Sequence, residues 1–365
     1  MQVHVSRVWN FSAGPAAMPQ EVLERAQREM LEWNGSGASV MEQSHRGKRF
    51  VEMAAQTEAD LRALMGIPVD YSVLFLQGGA TQLFAQIPMN ISAQGDSADY
   101  IDTGHWSSKA ISEAAPYLHV NVAASAKADD YHSIPARDTW QLDPNASYVH
   151  YTPNETIHGV EFHSVPEVGA VPLVADMSST ILSEPLDVSR FGLIYAGAQK
   201  NIGPSGLVVM IIRRDLLERA GRPMAKIFRF AEQASTDSML NTPNTWGWYL
   251  AGLTFQWLTA LGGPSVMAER NRVKAELLYD TIDGSDGFYR NPVDVAARSR
   301  MNVPFTLQES ALDSLFLKES EATGLLALKG HKAVGGMRAS LYNAVPLEAV
   351  QALTAFMRDF AKKHG

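Results

Sequence analysis

The feature that most constrains the fold is an alternation of short apolar segments with helical patterns through the first two thirds of the chain. Most of the short segments, such as 71–76 and 207–212, are nearly continuous runs of apolar residues. Strands of that kind are covered on both faces of a sheet. Strands that alternate with helices form a mostly parallel, doubly wound sheet, and we therefore predict an α/β fold. Further strands are predicted at 100–102, 119–122, 148–151, 173–176 and 193–196, and helices at 19–33, 48–65 and 81–89.

The pattern changes from about Ser285. Two strands, at 301–307 and 337–342, and two amphipathic helices, at 310–323 and 347–362, are predicted there. Fewer strands mixed with flanking helices are typical of a small α+β unit. A smaller C-terminal domain is therefore expected to follow the large α/β domain.

Composition excludes several classes of function. The 365 residues include no cysteine, so a disulfide framework, Cys-ligated zinc, an iron–sulfur cluster and a catalytic thiol are ruled out. The formal net charge of −8 argues against nucleic acid as the main partner. Met1 to Asn10 has no apolar stretch typical of a signal peptide, and the uncharged run 238–268 is interrupted by Pro and Gly. A cytoplasmic protein without a membrane span is expected.

One lysine follows an apolar strand in a turn of small residues, at Ala196-Gly-Ala-Gln-Lys200. A Gly-Pro-Ser-Gly loop at 203–206 then leads into the next apolar strand. A lysine enclosed by such strands loses solvation, which lowers its pKa and makes the neutral, nucleophilic amine accessible. Lys200 is therefore a candidate for a Schiff base with a carbonyl group. The alternative is a loop lysine that points into water.

Two further patterns follow strands and precede helices. Asp176 closes an apolar strand 24 residues before Lys200 and is followed by the hydroxyls of 178–180. It could pair with a protonated pyridine nitrogen, as in pyridoxal phosphate enzymes, or serve only as a helix cap. The glycine pair in Gln77-Gly-Gly-Ala80 could bind phosphate at a helix start, or be an ordinary turn. Ligands of doubly wound sheets bind beyond the carboxyl ends of the strands, so the three patterns together describe one site.

A metal site is a weaker alternative. His158, Glu161 and His163 lie close in sequence, and Glu161 and His163 would share one face of a strand. No third ligand is placed by the sequence, so no bound metal is expected.

With these motifs the chain resembles the phosphoserine aminotransferases, class V aminotransferases of pyridoxal phosphate fold type I. The resemblance spans essentially the whole chain. It runs through the segments 10–19, 44–48, 151–159, 175–179, 197–206, 241–243 and 330–343. It implies a large cofactor-binding domain at 16–263, a small domain formed by 1–15 and 264–365, and a homodimer with shared active sites.

The resemblance also implies which residues bind the cofactor, pyridoxal 5′-phosphate. Lys200 matches the lysine that forms the Schiff base, and Asp176 matches the acid on the pyridine nitrogen. Trp106 matches the aromatic residue stacked on the ring. The remaining matches are Ala80, Thr81 and Gln199 at the phosphate, Thr156 at the phenolic oxygen, and Asn241 and Thr242 from the second subunit.

For the substrate, Arg338 matches the arginine that holds the α-carboxylate, which suits its two-pronged donor. His45 and Arg46 match groups that bind the distal anion, joined by His331 and Lys332 from the partner subunit. Two positions depart from the family. Lys332 stands where an arginine is common, and keeps the charge without the fork geometry. Thr81 stands where some relatives carry an arginine, so here its hydroxyl must bind the phosphate.

The implied reaction is amino transfer between O-phospho-L-serine and 2-oxoglutarate, giving 3-phosphohydroxypyruvate and glutamate. Relatives in bacteria also act on 4-phosphohydroxythreonine in vitamin B6 synthesis. Two alternatives stay open. One is an aminotransferase for unphosphorylated substrates such as alanine and glyoxylate, which would not need the cations at the distal position. The other is an anion-binding protein without enzymatic activity on the same fold.

Overall fold

The computed structural model describes residues 7–219 and 221–365. The expectations for residues 1–6, that they carry no signal peptide and belong to the small domain, lie outside the described residues. The helices are α1 Gln20–Arg28, α2 Lys48–Met65, α3 Ala80–Ile91, α4 His105–Ala114, α5 Arg214–Leu217, α6 Phe230–Ala234, α7 Thr245–Ala260, α8 Gly263–Asp283, α9 Asp313–Ala322 and α10 Leu347–His364. The strands are β1 Trp9–Asn10, β2 Tyr71–Gln77, β3 Ser97–Asp102, β4 His119–Ser125, β5 Val149–Tyr151, β6 Asn154–Glu155, β7 Val160–Glu161, β8 Leu173–Asp176, β9 Leu193–Gly197, β10 Leu207–Arg213, β11 Tyr289–Arg290, β12 Asn302–Leu307, β13 Leu325–Leu326 and β14 Met337–Ser340.

The large sheet has seven strands in the order β2-β10-β9-β8-β5-β3-β4. Only β10 runs antiparallel to its neighbours, β2 and β9. The pairs β9-β8, β8-β5, β5-β3 and β3-β4 are all parallel. The predicted doubly wound α/β fold is therefore confirmed. Because β2, β3, β5, β8 and β9 point the same way, the segments that follow them meet at one edge of the sheet.

Two apolar layers cover this sheet, as the continuous apolar strands require. On one face Phe75 stacks on Trp248 of α7 with ring centroids 4.6 Å apart. On the other face α3 and α4 pack on the sheet through residues such as Phe84 and Ala110. The uncharged run in 238–268 forms α7, which is buried along most of its length. Within the described residues, no helix has the length and apolar character needed to cross a membrane.

A separate core joins the C-terminal elements. The antiparallel sheet β11-β12-β14 packs with α8, α9 and α10 around Phe305, Phe316 and Phe360. Phe11 is fully buried in this core, and β1 pairs in parallel with β13. These contacts support our proposal that the N-terminal residues belong to the small domain.

Several element boundaries differ from the predictions. α1 ends at Arg28 rather than 33. A separate turn follows, in which the Trp33 amide donates to the Ala38 carbonyl and Asn34 adopts a positive φ of 54°. Trp33 is still buried, against Tyr249 of α7 at 6.2 Å. Trp33 is therefore apolar because it packs against α7 from the segment after α1, and not because α1 continues to residue 33. α3 continues past Pro88 to Ile91, two residues beyond the predicted end.

Candidate active site

The site lies where the parallel strands of the large sheet end. Asp176 is the last residue of β8, and Lys200 lies in the turn that follows β9. Trp106 lies at the start of α4 after β3, and Thr156 follows β6. One cavity is lined by these four residues and by Gly79, Ala80, Thr81, Phe84, Thr152, Asn154, Ser178, Ser179 and Gln199. The three motifs that sequence analysis singled out therefore do converge.

Lys200 points into this cavity. Its Nζ donates to Thr156 Oγ1 at 2.6 Å and lies 5.8 Å from the centre of the Trp106 ring. Burial lowers the pKa of Lys200 to about 8, although the carboxylates of Asp176 and Glu155 act in the opposite direction. A lysine in this state has a substantial neutral fraction near physiological pH, so its amine can act as nucleophile and as base. The sequence-based alternative, a lysine in water, is wrong.

Asp176 is only 5 % exposed. Its Oδ1 accepts hydrogen bonds from the Ser178 hydroxyl at 2.6 Å and the Ser178 amide at 3.0 Å. Ser178 Oγ in turn accepts from the Gly197 amide at 3.0 Å, which ties the acid to the end of β9. Burial raises the pKa of Asp176, while Ser178 and Lys200 lower it. The second oxygen makes no hydrogen bond with the described part of the chain, so one acceptor is left on the cavity side.

The Gly78-Gly79 turn leads from β2 into α3. Gly78 adopts a positive φ of 109°, which favours glycine, and Gly79 is the residue before the helix. Ala80 and Thr81 form the first turn of α3, and the first amides of a helix have no partner within it. A helix start of this kind suits a phosphate group. Gln199 lines the same cavity beside Lys200.

Trp106 is held by a residue that the sequence analysis did not identify. The carboxylate of Glu155, on β6, accepts hydrogen bonds from the amides of Trp106 and Ser107. The signal that the sequence offers for Glu155 is its position directly before Thr156, within the segment 151–159. Its side chain is fully buried.

Arg338 lies on β14 at the border between the two cores. Its Nη1 approaches the carbonyl oxygen of Thr156 at 3.4 Å. Thr156 therefore contacts both Arg338 and Lys200. Burial lowers the pKa of Arg338, and its charge also lowers the pKa of Lys200. This places a guanidinium beside the reactive amine.

His331 lies beside a residue of its own chain's site. The resemblance implies that His331 and Lys332 act in the partner's site, and the His331 ring lies 5.6 Å from the His105 ring of the same chain. His105 directly precedes Trp106, and Arg338 and Lys332 both lower the pKa of His331 after burial. The turn after β13 brings 330–336 back toward the start of α4, so His331 lies near its own chain's site, while Lys332 is exposed. Which chain's substrate the two residues contact stays a prediction that requires a second chain.

Four other predicted site residues are not brought into the cavity by one chain. His45 and Arg46 lie in the turn before α2, where the Arg46 amide bonds to Ser44 Oγ at 3.3 Å. Asn241 and Thr242 are exposed, and the Thr242 carbonyl accepts from Gln77 Nε2 at 2.6 Å. In the described residues, no hydrogen bond joins any of the four side chains to the cavity. Their roles stay predictions that require a second chain.

The possible metal ligands have structural partners. Glu161 accepts from the Arg300 amide at 2.6 Å and from its guanidinium at 3.0 Å. His163 Nδ1 lies 3.9 Å from Glu161 Oε1. Across residues 7–219 and 221–365, no group of three or more His, Asp or Glu side chains is arranged to hold a metal ion.

The cavity fits pyridoxal phosphate. It offers an enclosed amine for the aldehyde carbon, a buried acid with one free acceptor for the pyridine nitrogen, and a helix start for the phosphate. Buried polar atoms with no partner surround it, namely Thr152 Oγ1, Asn154 Oδ1 and Trp106 Nε1. Such orphaned atoms are rare without a ligand. The fold and this donor set define a pyridoxal-phosphate-dependent transaminase of fold type I.

Comparison with known proteins agrees with this class of enzyme. A family model described as aminotransferase class V matches residues 8–353. A curated phosphoserine aminotransferase from Stenotrophomonas maltophilia is 60 % identical over 361 residues, which cover 99 % of this chain and 100 % of that protein. This chain belongs to the phosphoserine aminotransferase family within the class V aminotransferases.

Solved structures show that the similarity also holds for the three-dimensional fold. A phosphoserine aminotransferase from Bacillus circulans subsp. alkalophilus has a TM-score of 0.96 at 47 % identity, covering 98 % of this chain and 99 % of that one. A phosphoserine aminotransferase from Trichomonas vaginalis, solved with pyridoxal phosphate bound, has a TM-score of 0.92 at 42 % identity, covering 96 % and 100 %.

Proposed function

We propose that this enzyme transfers the amino group between O-phospho-L-serine and 2-oxoglutarate, giving 3-phosphohydroxypyruvate and L-glutamate. The observation that carries the proposal is the set of cations around Lys200. Arg338 lies beside Thr156, and the charged Lys332 directly follows His331, whose ring lies beside His105, next to Trp106. Two separate cationic positions suit a substrate that carries a carboxylate and a second anion. The names of the relatives support the same substrate.

Pyridoxal phosphate, when bound, supplies a ring that withdraws electrons from the substrate Cα. Lys200 and Asp176 would hold it at its aldehyde carbon and its pyridine nitrogen. Ala80, Thr81 and Gln199 would hold its phosphate, joined by Asn241 and Thr242 of a second copy. Trp106 would cover the ring, and Thr156 would contact its phenolic oxygen.

Lys200 acts in the proposed mechanism as the base that removes the Cα proton. Its pKa of about 8 gives a useful neutral fraction at physiological pH, and Thr156 orients the amine through the 2.6 Å contact. The same nitrogen then returns the proton as an acid. Asp176 would stabilise a proton on the pyridine nitrogen of the bound cofactor, because its charge lies in a buried setting where pairing is strong. Ser178 keeps one Asp176 oxygen occupied and so directs the other into the cavity.

Arg338 is proposed to hold the substrate α-carboxylate, since a planar guanidinium binds a carboxylate through two parallel bonds. The phosphate would lie toward His45 and Arg46 together with His331 and Lys332, with the two pairs supplied by different chains of a dimer. A homodimer with shared sites remains part of the proposal, and the cytoplasm remains the expected location.

A coupled glutamate assay with phosphoserine and serine side by side tests the proposal. A single charge-assisted hydrogen bond contributes about 1.5–3 kcal/mol, and each 1.4 kcal/mol is about tenfold. With two or more such contacts to the phosphate, kcat/KM for phosphoserine should exceed that for serine by at least about 100-fold. Equal values, or faster turnover of alanine with glyoxylate, would contradict it. Activity on 4-phosphohydroxythreonine, which presents the same two anions, is tested in the same assay.

A further inference from the structure

Glu155 has no part in the mechanism above, yet its carboxylate is completely buried between the site and the start of α4. Oε2 accepts from the Trp106 amide at 3.0 Å. Oε1 accepts from the Ser107 amide at 2.8 Å and the Ser107 hydroxyl at 2.7 Å. Both oxygens are therefore engaged by the first turn of α4. The positive end of the helix dipole lies at the same place and favours a carboxylate there.

The fit between this carboxylate and the helix start is close. A Cβ atom added to Gly104 would lie 2.6 Å from Glu155 Cδ, a distance that no packed side chain tolerates. Glycine at 104 therefore leaves the space that lets the glutamate reach the amides. Burial raises the pKa of Glu155 to about 7, against the hydrogen bonds from Ser107 and Trp106, which lower it.

Glu155 also lies next to Thr156 in the chain, and Thr156 binds the Lys200 amine at 2.6 Å. One two-residue segment thus contacts the backbone of Trp106 on one side and the reactive lysine on the other. The Trp106 ring makes no hydrogen bond in the described part of the chain, because its Nε1 is buried without a partner, and the ring is held by packing, as against the His105 ring at 5.3 Å.

We propose that Glu155 is a positioning residue that fixes the start of α4 and thereby holds the Trp106 ring in register with Lys200 for the cofactor. The proposal rests on the proposed function, in which Trp106 covers the ring. Glu155 contacts no reacting atom and acts through Trp106. Glutamate is required because an amide would place an NH₂ group against one of the two backbone N–H groups.

The test compares Glu155→Gln with Asp99→Asn as a matched control. Asp99 is also a fully buried carboxylate that accepts from a backbone amide, that of Asp143 at 2.8 Å, and from a side chain, Asn121 at 2.7 Å. It lies near the beginning of β3, at the opposite end of that strand from α4. Both variants should lose thermal stability. The readouts are the dissociation constant of pyridoxal phosphate and the circular dichroism of its bound visible band, measured without substrate.

We expect Glu155→Gln to weaken cofactor binding about tenfold and to reduce the dichroic band by more than half. Asp99→Asn should leave both within about twofold. In a Trp106→Ala background, Glu155→Gln should add less than about twofold, because the ring it positions is gone. If Glu155→Gln does not fold, Ser107→Ala removes one hydrogen bond to the same carboxylate, together with those from the Thr103 and Gly104 amides to the Ser107 hydroxyl, and should shift both readouts in the same direction, with a smaller shift in a Trp106→Ala background.

Equal effects of Glu155→Gln and Asp99→Asn would overturn the proposal, as would an undiminished Glu155→Gln effect in the Trp106→Ala background. A protein that binds no pyridoxal phosphate in its unaltered form would instead refute the proposed function. The two failures are therefore distinguishable.

Discussion

Removing the Ser178 hydroxyl should move the pH dependence of catalysis. Ser178 Oγ donates to Asp176 Oδ1 at 2.6 Å, and this bond favours the charged carboxylate that burial disfavours. A hydrogen bond to a charged group contributes about 1.5–3 kcal/mol, and one pKa unit corresponds to about 1.4 kcal/mol. Ser178→Ala should therefore raise the pKa of Asp176 by about one to two units.

The direction in which the pH profile of kcat moves follows from the role of Asp176. The carboxylate must be ionised to hold a proton on the pyridine nitrogen, so activity falls steeply as pH drops through the pKa of Asp176, in addition to the shallower loss that begins below about pH 8 as the Lys200 amine takes up a proton. Ser178→Ala should move this steeper acid limb to higher pH, in step with the rise in the pKa of Asp176, with little loss at the alkaline end. The assay is kcat for phosphoserine against pH, from about pH 5 to pH 9.

A matched control exists on the surface. Ser189 contacts Asp187 with the same geometry, its hydroxyl at 2.6 Å and its amide at 3.0 Å from Oδ1. This pair is exposed and remote from the site, so Ser189→Ala should leave the profile unchanged. An acid limb that moves by less than 0.3 units in Ser178→Ala, or that moves equally in the two variants, would refute the reasoning.

Three further predictions follow from the site. Lys200→Ala should lower kcat by at least about 10²–10⁴-fold, the usual share of general acid–base catalysis, with little change in melting temperature; activity within tenfold of the unaltered enzyme would contradict the assignment. Lys332→Ala should lower kcat/KM for phosphoserine by about 10–100-fold and hardly affect serine, whereas equal losses for the two substrates would remove Lys332 from the phosphate site. Mixing inactive Lys200→Ala subunits with inactive Asn241→Ala/Thr242→Ala subunits should restore partial activity, because some heterodimers contain one complete site; no recovery despite demonstrated subunit exchange would argue against shared sites.

The sequence could predict the reactive centre because each of its parts follows a strand. Asp176 ends β8, and Lys200 follows β9 in a turn of small residues. Parallel strands bring such positions to one edge whatever the details of packing. The helix-cap alternative for Asp176 is wrong, because residues 177–187 form turns and no helix begins there, although the Ser178 amide does bond to the Asp176 side chain. The same contact serves both local structure and the orientation of the acid.

The parts that sequence reasoning missed depend on contacts between distant segments. Glu155 and Trp106 are 49 residues apart, and nothing in either local pattern pairs them. The nearness of His331 to His105 depends on the path of the turn that follows β13, which a resemblance in residue types does not give. Trp33 was placed in a helix because its apolar spacing continued that of α1, while its packing against Tyr249 needs only a turn.

The central claim, that Lys200 is the residue to which pyridoxal phosphate attaches, has a direct test. The purified enzyme with bound cofactor is reduced with borohydride, digested, and its peptides are mapped by mass spectrometry. The account predicts loss of the visible absorption band and one modified peptide, with the pyridoxyl group on Lys200. A label on another lysine, or a band that vanishes without any labelled peptide, would contradict it.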